Sequence, residues 1–115
     1  GLMAHKLFTI KKRATFVHIR NKGVFIRSKN INVQKLYNQD LDGRIGVGYT
    51  ATKKIGNAVK RNKIKRRLRN IMNDAVKTIN MDLNYSYLFI AKKNLYNGNY
   101  KMIKESILKD LTKVR

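Results

Sequence analysis

The middle of the chain shows two periodic patterns of apolar residues, one directly after the other. Between residues 45 and 52, apolar residues at odd positions alternate with Gly and Thr at even positions, which predicts a strand with one apolar and one small-residue face. From Asn57 to about Ile79 the apolar residues recur every three or four positions, which predicts an amphipathic helix. Its apolar stripe comprises Ile64, Leu68, Ile71, Met72, Ala75 and Ile79.

A shorter helix is predicted near the beginning of the chain. Residues 11–22 have the spacing of a short helix, and we expect Gly23 to end it as a left-handed C-terminal cap. Phe16 and Arg20 stand four residues apart, so the helix would place an aromatic ring beside a cation. Such a pair is useful for binding single-stranded nucleic acid.

The remaining segments complete the predicted fold. Residues 24–26 and 31–37 are typical of strands, and the apolar run 85–91 is typical of a buried strand. A closing helix has its apolar face formed by Tyr100, Ile103, Ile107, Leu108, Leu111 and Val114. The order of elements predicts an α/β (α+β) two-layer sandwich, with a mixed sheet of about four strands and three helices, as a single domain over residues 1–115.

Charge along the chain is strongly one-sided. Lys and Arg number 27 against 6 Asp and Glu, which gives a formal net charge of +21. Nine of the basic residues fall within residues 53–69, where no acid stands. A solvated helix face usually mixes both signs, because like charges at i to i+4 spacing destabilise a helix. The pattern therefore favours a surface that binds a polyanion.

The residue inventory argues against catalysis by the chain's own side chains. There is no Cys, there are only two His, and the acids are scattered, so we predict no catalytic residue and no metal site in the protein. The lack of Cys fits a reducing compartment. No apolar run approaches the roughly 18 residues of a membrane-spanning helix. We therefore expect a cytoplasmic protein that makes no membrane contact.

The junction between the predicted strand and the long helix contains residues suited to RNA. Gly56 permits a tight turn, but the other glycines of a nucleotide-binding phosphate loop are missing. Asn57 and Arg61 lie on the side of the apolar stripe, one or two turns before it, whereas Asn62 shares the cationic side. Each asparagine suits either RNA contact or helix capping and turn formation, and the residues alone leave both readings open.

The same junction carries a long motif. It reads Lys53-Lys54-Ile55-Gly56-Asn57-Ala58-Val59, followed by Arg61-Asn62-Lys63 and a basic helix to Arg69. This stretch resembles the signature of the protein subunit of bacterial ribonuclease P, which is Lys-Lys-x-Gly-Asn-Ala-Val followed by Arg-Asn-Arg and a basic helix. The N-terminal helix with its glycine, the strand that ends in Ala91-Lys92-Lys93 and the C-terminal helix also stand where the family has them, so the resemblance covers nearly the whole chain.

The resemblance implies an accessory role in an enzyme whose catalyst is RNA. Family members bind the catalytic ribonuclease P RNA and help it remove the 5′ leader of precursor tRNA, a hydrolysis that depends on Mg²⁺ used by the RNA subunit. It also implies a left-handed βαβ crossover, which sequence patterns alone would not suggest. For the isolated protein we expect a monomer.

The motif positions carried over as RNA contacts are Lys53, Lys54, Asn57, Arg61, Asn62, Lys63, Lys65, Arg66 and Arg69. The family's leader-binding cleft maps to Phe16, Arg20, Ile31 and Val33. Two departures stand out: Lys63 replaces the second arginine of the Arg-Asn-Arg segment, and Arg20 and Gln34 occupy positions where an aromatic residue can stand. Leader binding would then rely more on charge than on stacking.

Two other readings stay open on the sequence. A generic basic RNA-binding or ribosomal protein would carry the same charge without discriminating between substrates. A free-standing protein nuclease would cleave precursor tRNA without any RNA subunit.

Overall fold

The structure is a computed structural model and describes residues 6–75 and 81–111. Five strands and three helices follow one another in these two ranges: β1 (Leu7–Thr9), α1 (Arg13–Lys22), β2 (Val24–Arg27), β3 (Ile31–Tyr37), β4 (Ile45–Ala51), α2 (Ala58–Ala75), β5 (Tyr85–Ala91) and α3 (Tyr100–Leu111). The predicted Ile79 and Val114 lie outside the described residues. No helix of the described part combines the length and the apolar composition needed to cross a membrane.

The strands form one mixed sheet in the order β1-β4-β5-β3-β2. β4 pairs in parallel with β1 and β5, whereas β3 pairs antiparallel with β5 and β2. The α+β class is confirmed, but the sheet has five strands where about four were expected. The additional strand is β1, whose three residues are too few to produce a recognisable alternation.

Two features of this sheet, one crossover connection and one short strand pairing, matter for the surface described below. β4, α2 and β5 form a crossover between neighbouring parallel strands, as the family resemblance implies; its left-handedness stays a prediction. β1 pairs only with residues 45–47 of β4, so residues 48–51 have a strand partner on one side only among the described residues.

The larger core lies between one face of the sheet and the helices α2 and α3. The described members of the predicted α2 stripe are fully buried there, and Ile103 (7% exposed) and Ile107 of α3 are buried beside them. Tyr100, predicted on the apolar face of α3, is instead 39% exposed. Burial of the stripe leaves the cations of α2 on the sides that face solvent.

A smaller core lies on the opposite face of the sheet, under α1. Ile10, Ile19 and Leu88 form it, with Phe16 packed at its edge. The predicted small-residue face of β4 makes this packing possible, because a Cβ placed on Gly48 would stand 2.9 Å from the Phe16 ring. The two glycines of β4 therefore allow the aromatic rings of this layer to approach the sheet backbone.

Gly23 is not the left-handed cap that the sequence predicts. Its φ and ψ are −72° and 151°, which is extended backbone, and the chain passes directly from α1 into β2. The need for glycine is steric instead: an added Cβ would lie 2.6 Å from the carbonyl oxygen of Ile19 and 3.2 Å from that of Lys35. Both obstacles are backbone atoms, so they cannot move aside as a flexible side chain would.

Replacing Gly23 by Ala is expected to lower the free energy of unfolding by about 1–3 kcal/mol, the usual cost of overpacking. Denaturant titration of the purified protein measures this loss. Lys22→Ala is the matched control, since Lys22 is exposed and its loss should change stability by less than about 0.5 kcal/mol. Equal stability of the two variants would contradict the steric account.

Candidate nucleic-acid interface

The entry into α2 is shaped by one glycine and one asparagine. After a short 3-10 turn at Lys53–Ile55, Gly56 has a φ of 145° and a ψ of −156°, a conformation that other residues adopt only with strain. The Oδ1 atom of Asn57 then accepts a hydrogen bond from the backbone N–H of Lys60 at 3.0 Å. Asn57 thus caps the helix, which supports the capping reading without excluding RNA contact by its amide.

A cleft of about 760 Å³ lies between α1, the sheet and the entry into α2. Its lining residues are Arg13, Arg20, Phe25, Asn32, Gln34, Thr50, Ala51, Thr52, Lys53, Arg61 and Ile90. Four of them carry a positive charge and none carries a negative charge. The cleft therefore combines a cationic wall with amide, hydroxyl and aromatic groups.

The floor of the cleft consists of neighbouring residues on the sheet face under α1. Thr50 pairs with Ile90 and Ile90 with Asn32, which gives one row across three strands. A second row is formed by Leu88, Gln34 and Phe25, of which Gln34 and Phe25 line the cleft and Leu88 is buried in the smaller core. Because side chains alternate along a strand, all of these residues point to one side of the sheet.

The structure brings only part of the predicted leader cleft together. Arg20 lines the cleft, but Ile31 and Val33 are fully buried in the larger core on the other face of the sheet. They precede Asn32 and Gln34, which take their place in the cleft. The predicted residues therefore belong to a strand that lines the cleft, but to its other face, because a shift of one residue along a strand exchanges the two faces.

Phe16 and Arg20 line different depressions, so they do not meet at one site as expected. Phe16 borders a neighbouring hollow of about 480 Å³, together with Lys11, Tyr49, Lys65 and Arg69 among others. The aromatic side chain in the cleft is Phe25, which is 48% exposed. Sequence analysis missed Phe25 as a site residue, although its position in a short alternating strand after Gly23 could have indicated it.

The cations predicted to contact RNA point in three directions from α2. Arg61, Lys65 and Arg69, at steps of four residues, face the cleft and the neighbouring hollow. Asn62 and Arg66 are exposed on the outer side of the helix.

Lys63 points in the third direction, with its Nζ 4.7 Å from the centroid of the Tyr96 ring. Before the helix, Lys53 and Lys54 are both exposed, and of these two Lys53 lines the cleft. The predicted contact residues therefore surround the N-terminal half of α2 rather than forming one flat patch.

Two arginines of α2 also have structural partners. The Nη1 atom of Arg61 donates a hydrogen bond to the carbonyl oxygen of Gly56 at 2.7 Å, which connects the helix to the turn before it. Arg67, which the motif does not assign to RNA, donates to the carbonyl oxygens of Tyr96 (3.2 Å) and Gly98. It fixes the loop between β5 and α3 against α2.

Tyr49, which borders the hollow beside Phe16, adds no negative charge at neutral pH. Burial raises the pKa of Tyr49 to about 12, although the nearby Arg69 guanidinium opposes this shift. Burial also raises the pKa of Tyr87 to about 12.

In the part of the chain that the structure describes, no three His, Cys, Asp or Glu side chains are grouped so that they could hold a metal ion.

Asn57→Ala is expected to lower the free energy of unfolding by about 0.5–2 kcal/mol, because the helix loses its cap. Asn57→Asp should keep most of the stability, since a carboxylate accepts the same bond and interacts favourably with the helix N-terminus. Thermal or denaturant unfolding distinguishes the two variants. Wild-type stability of Asn57→Ala would show that the cap contributes nothing in solution.

Comparison with known proteins identifies relatives across nearly the whole chain. The family model for Ribonuclease P matches residues 4–115. The ribonuclease P protein component of Streptococcus pneumoniae serotype 4 is 33% identical over 103 residues, which cover 90% of this chain and 80% of that protein.

Solved structures show the same fold. The RNase P protein of Staphylococcus aureus superposes with a TM-score of 0.76 at 29% identity, covering 94% of this chain and 95% of that one. The RNase P protein of Thermotoga maritima gives a TM-score of 0.75 over 94% of this chain and 98% of its own, and at 21% identity it supports the fold alone. Taken with the match of the family model, these likenesses show that the chain belongs to the ribonuclease P protein family.

Proposed function

We propose that this chain is the RNA-binding protein subunit of the ribonuclease P ribonucleoprotein. It binds the catalytic RNA through the cations around α2 and the 5′ leader of precursor tRNA through the cleft. In this way it assists the Mg²⁺-dependent endonucleolytic cut that forms the mature tRNA 5′ end. The protein alone is a monomer, and it works in the cytoplasm. The observation that carries the proposal is the ordered, uncompensated cationic surface that continues from the cleft onto α2.

The balance of ion pairs supports a polyanionic partner. The ion pairs within the described residues are Lys35 with Asp82 and Lys104 with Asp74. Neither of these ion pairs involves Lys53, Lys54 or a basic residue of α2. Phosphates of a folded RNA would neutralise these cations and release the counterions that otherwise surround both partners.

The cleft has the properties needed to hold a single strand of RNA. Arg13 and Arg20 on its α1 wall, with Lys53 and Arg61 opposite, can follow a phosphate backbone. The half-exposed ring of Phe25 offers a stacking surface. Asn32 contributes a side-chain amide that both donates and accepts hydrogen bonds, as recognition of splayed bases requires.

The chemistry in this proposal belongs to the RNA. Within the described residues, the His, Cys, Asp and Glu side chains form no group that could hold a metal ion, and we assign the Mg²⁺ of this proposal to the RNA subunit. The chain's own residues hold the leader and the RNA subunit in register and neutralise phosphate charge near the cut. Both effects stabilise the assembled complex without a catalytic side chain.

Affinity for the catalytic RNA should depend steeply on salt. Roughly four to six phosphate contacts predict a slope of log K against log salt on the order of −3 to −5. Arg66→Gln should reduce the size of this slope by about 1, because Arg66 is exposed on the outer side of α2. Lys29→Gln, an equal change of charge in the β2–β3 turn, is the control. A flat salt dependence of the wild-type protein would overturn the proposal.

Leader recognition is tested in the enzyme assembled with its RNA subunit. Phe25→Ala should weaken binding of precursor tRNA by about 1–3 kcal/mol, the range for loss of one stacked base, and leave mature tRNA binding unchanged. Val24→Ala is the control, since Val24 is exposed on the other face of the same strand.

Two measurements on the wild-type protein separate the two rival functions. Equal affinity of the wild-type enzyme for precursor and mature tRNA would favour a generic basic RNA-binding or ribosomal protein. Efficient cleavage of precursor tRNA by the protein with Mg²⁺ and no RNA subunit would favour a protein nuclease.

A further inference from the structure

A further hollow, of about 390 Å³, lies between the first turn of α1, the sheet and the loop that joins β3 to β4. We call it the Ser86 hollow, after the β5 residue that lines it. It shares no lining residue with the leader cleft and includes none from α2. It adjoins the hollow beside Phe16, with which it has Thr9, Ile10 and Lys11 in common. The Ser86 hollow is therefore separate from the surfaces assigned to RNA on the motif and in the cleft.

The side chain of Ser86 is almost completely buried, yet its hydroxyl has no hydrogen-bond partner among the described residues. Ser86 is 6% exposed and lines the hollow. Its neighbour on β4 is Gly46, which offers no side chain to bond it. Burial of a hydroxyl is unfavourable unless a hydrogen bond replaces its contact with water. The hydroxyl therefore points to a ligand that accepts a hydrogen bond.

Arg44 brings a guanidinium to the same hollow in a fixed position. Its Nε atom donates a hydrogen bond to the carbonyl oxygen of Leu41 at 3.0 Å, and its Cζ atom lies 4.9 Å from the centroid of the Phe8 ring. Leu41 and Phe8 line the hollow as well. Within residues 6–75 and 81–111, the Nη atoms of Arg44 have no acceptor and no ion-pair partner. They are free to give the two parallel hydrogen bonds that a guanidinium forms with a phosphate.

The first turn of α1 contributes backbone donors. Lys12, the N-cap residue, makes no side-chain capping bond, and the turn carries no acid. The N–H groups of Arg13 and Ala14 have no acceptor in the part of the chain that the structure describes. Thr15 of the same turn lines the hollow together with Lys12. Free N–H groups at a helix N-terminus attract anions, so this helix end adds to the two side-chain donors.

Acidic residues stand outside the hollow. Its lining residues include three cations and no acid. Asp40 and Asp42 are exposed on the β3–β4 loop, on either side of Leu41. A nucleic acid strand laid across this loop would bring its phosphates close to both carboxylates and be repelled. A single phosphate group inside the hollow meets only donors and cations, so the charges favour a small phosphorylated molecule over an RNA backbone.

We propose that the Ser86 hollow binds one phosphate group of a small molecule, either inorganic phosphate or a nucleoside monophosphate. Its donors are the Nη atoms of Arg44, the hydroxyl of Ser86 and the free N–H groups of α1. These donors come from three segments that are distant in sequence, so the ligand would join the β3–β4 loop, β5 and α1. The inference goes beyond the proposed function and does not depend on it.

The test titrates the full protein with sodium phosphate at constant ionic strength and follows the backbone amide signals by NMR. The wild-type protein should saturate, with the largest shifts at Ser86, Arg44 and the first turn of α1. Ser86→Ala should weaken binding about tenfold, because one hydrogen bond to a charged ligand is lost. Without phosphate this variant should unfold at the wild-type denaturant concentration or above it, because the hydroxyl has no partner to lose. A parallel titration with adenosine 5′-monophosphate shows, by the tighter of the two ligands, whether the group is held free or as an ester.

A pair of variants with the same change of charge separates a site from general attraction. Arg44→Gln should weaken phosphate binding by more than Ser86→Ala, because it removes one charge and the guanidinium donors. Arg27→Gln removes one charge from β2, outside the hollow, and should bind phosphate like the wild-type protein. Equal weakening in these two variants, or wild-type affinity of Ser86→Ala, would overturn the inference, because binding would then follow net charge alone.

Binding to the transcribed RNA subunit distinguishes the two possible sources of the phosphate. Ser86→Ala should bind this RNA as tightly as the wild-type protein does, because no RNA contact is assigned to the hollow. A loss of RNA affinity in Ser86→Ala would assign the hollow to an RNA phosphate and overturn the inference, while the proposed function would stand.

Discussion

The burial of the α2 stripe is the interaction on which the rest of the structure depends. Ile64, Leu68, Ile71 and Met72 are completely buried against the sheet, while the other sides of the same helix carry cations at i to i+4 spacing. Such a helix is disfavoured in isolation, because its like charges repel and short helices are marginal in water. Tertiary packing of one face thus holds the charges of the other faces in fixed positions. A binding partner meets an ordered surface and does not have to organise it.

The basic residues divide into two kinds according to what their side chains contact. Arg61 and Arg67 donate hydrogen bonds to backbone carbonyls, Arg61 in the turn before α2 and Arg67 in the loop between β5 and α3. Arg61 also lines the cleft. Arg66 is exposed with no such partner, and Lys60 and Lys63 rest on an aromatic ring. A single helix therefore combines cations that hold neighbouring backbone with exposed cations, and charge alone does not tell which is which. Only the positions of the neighbouring carbonyls and rings separate them.

The sequence allowed prediction of every element long enough to show a period. The strand at Ile45–Ala51, the α2 stripe and the buried strand at Tyr85–Ala91 all appear as expected. β1 was missed because three residues do not make a pattern. The role of Gly23 was misjudged because its constraint is a close approach to the carbonyl oxygens of Ile19 and Lys35, which appears only in the folded chain. Ile31 and Val33 were mapped to the cleft from the family resemblance, and the alternation of the strand does not say which of its two faces meets which helix. The motif located the cations, but not the Tyr96 loop, which is distant in sequence.

β1 covers only the first half of β4, and this has a consequence for how copies of the protein behave in solution. The uncovered half offers backbone amides and carbonyls to which a strand from another molecule could add, the common route to aggregation. Lys65 and Arg69 stand beside that opening, around Tyr49. A second molecule of the same high positive charge is repelled as it approaches, whereas a nucleic acid is attracted. The same side chains thus add electrostatic repulsion between copies of the protein at the part of β4 that β1 leaves uncovered.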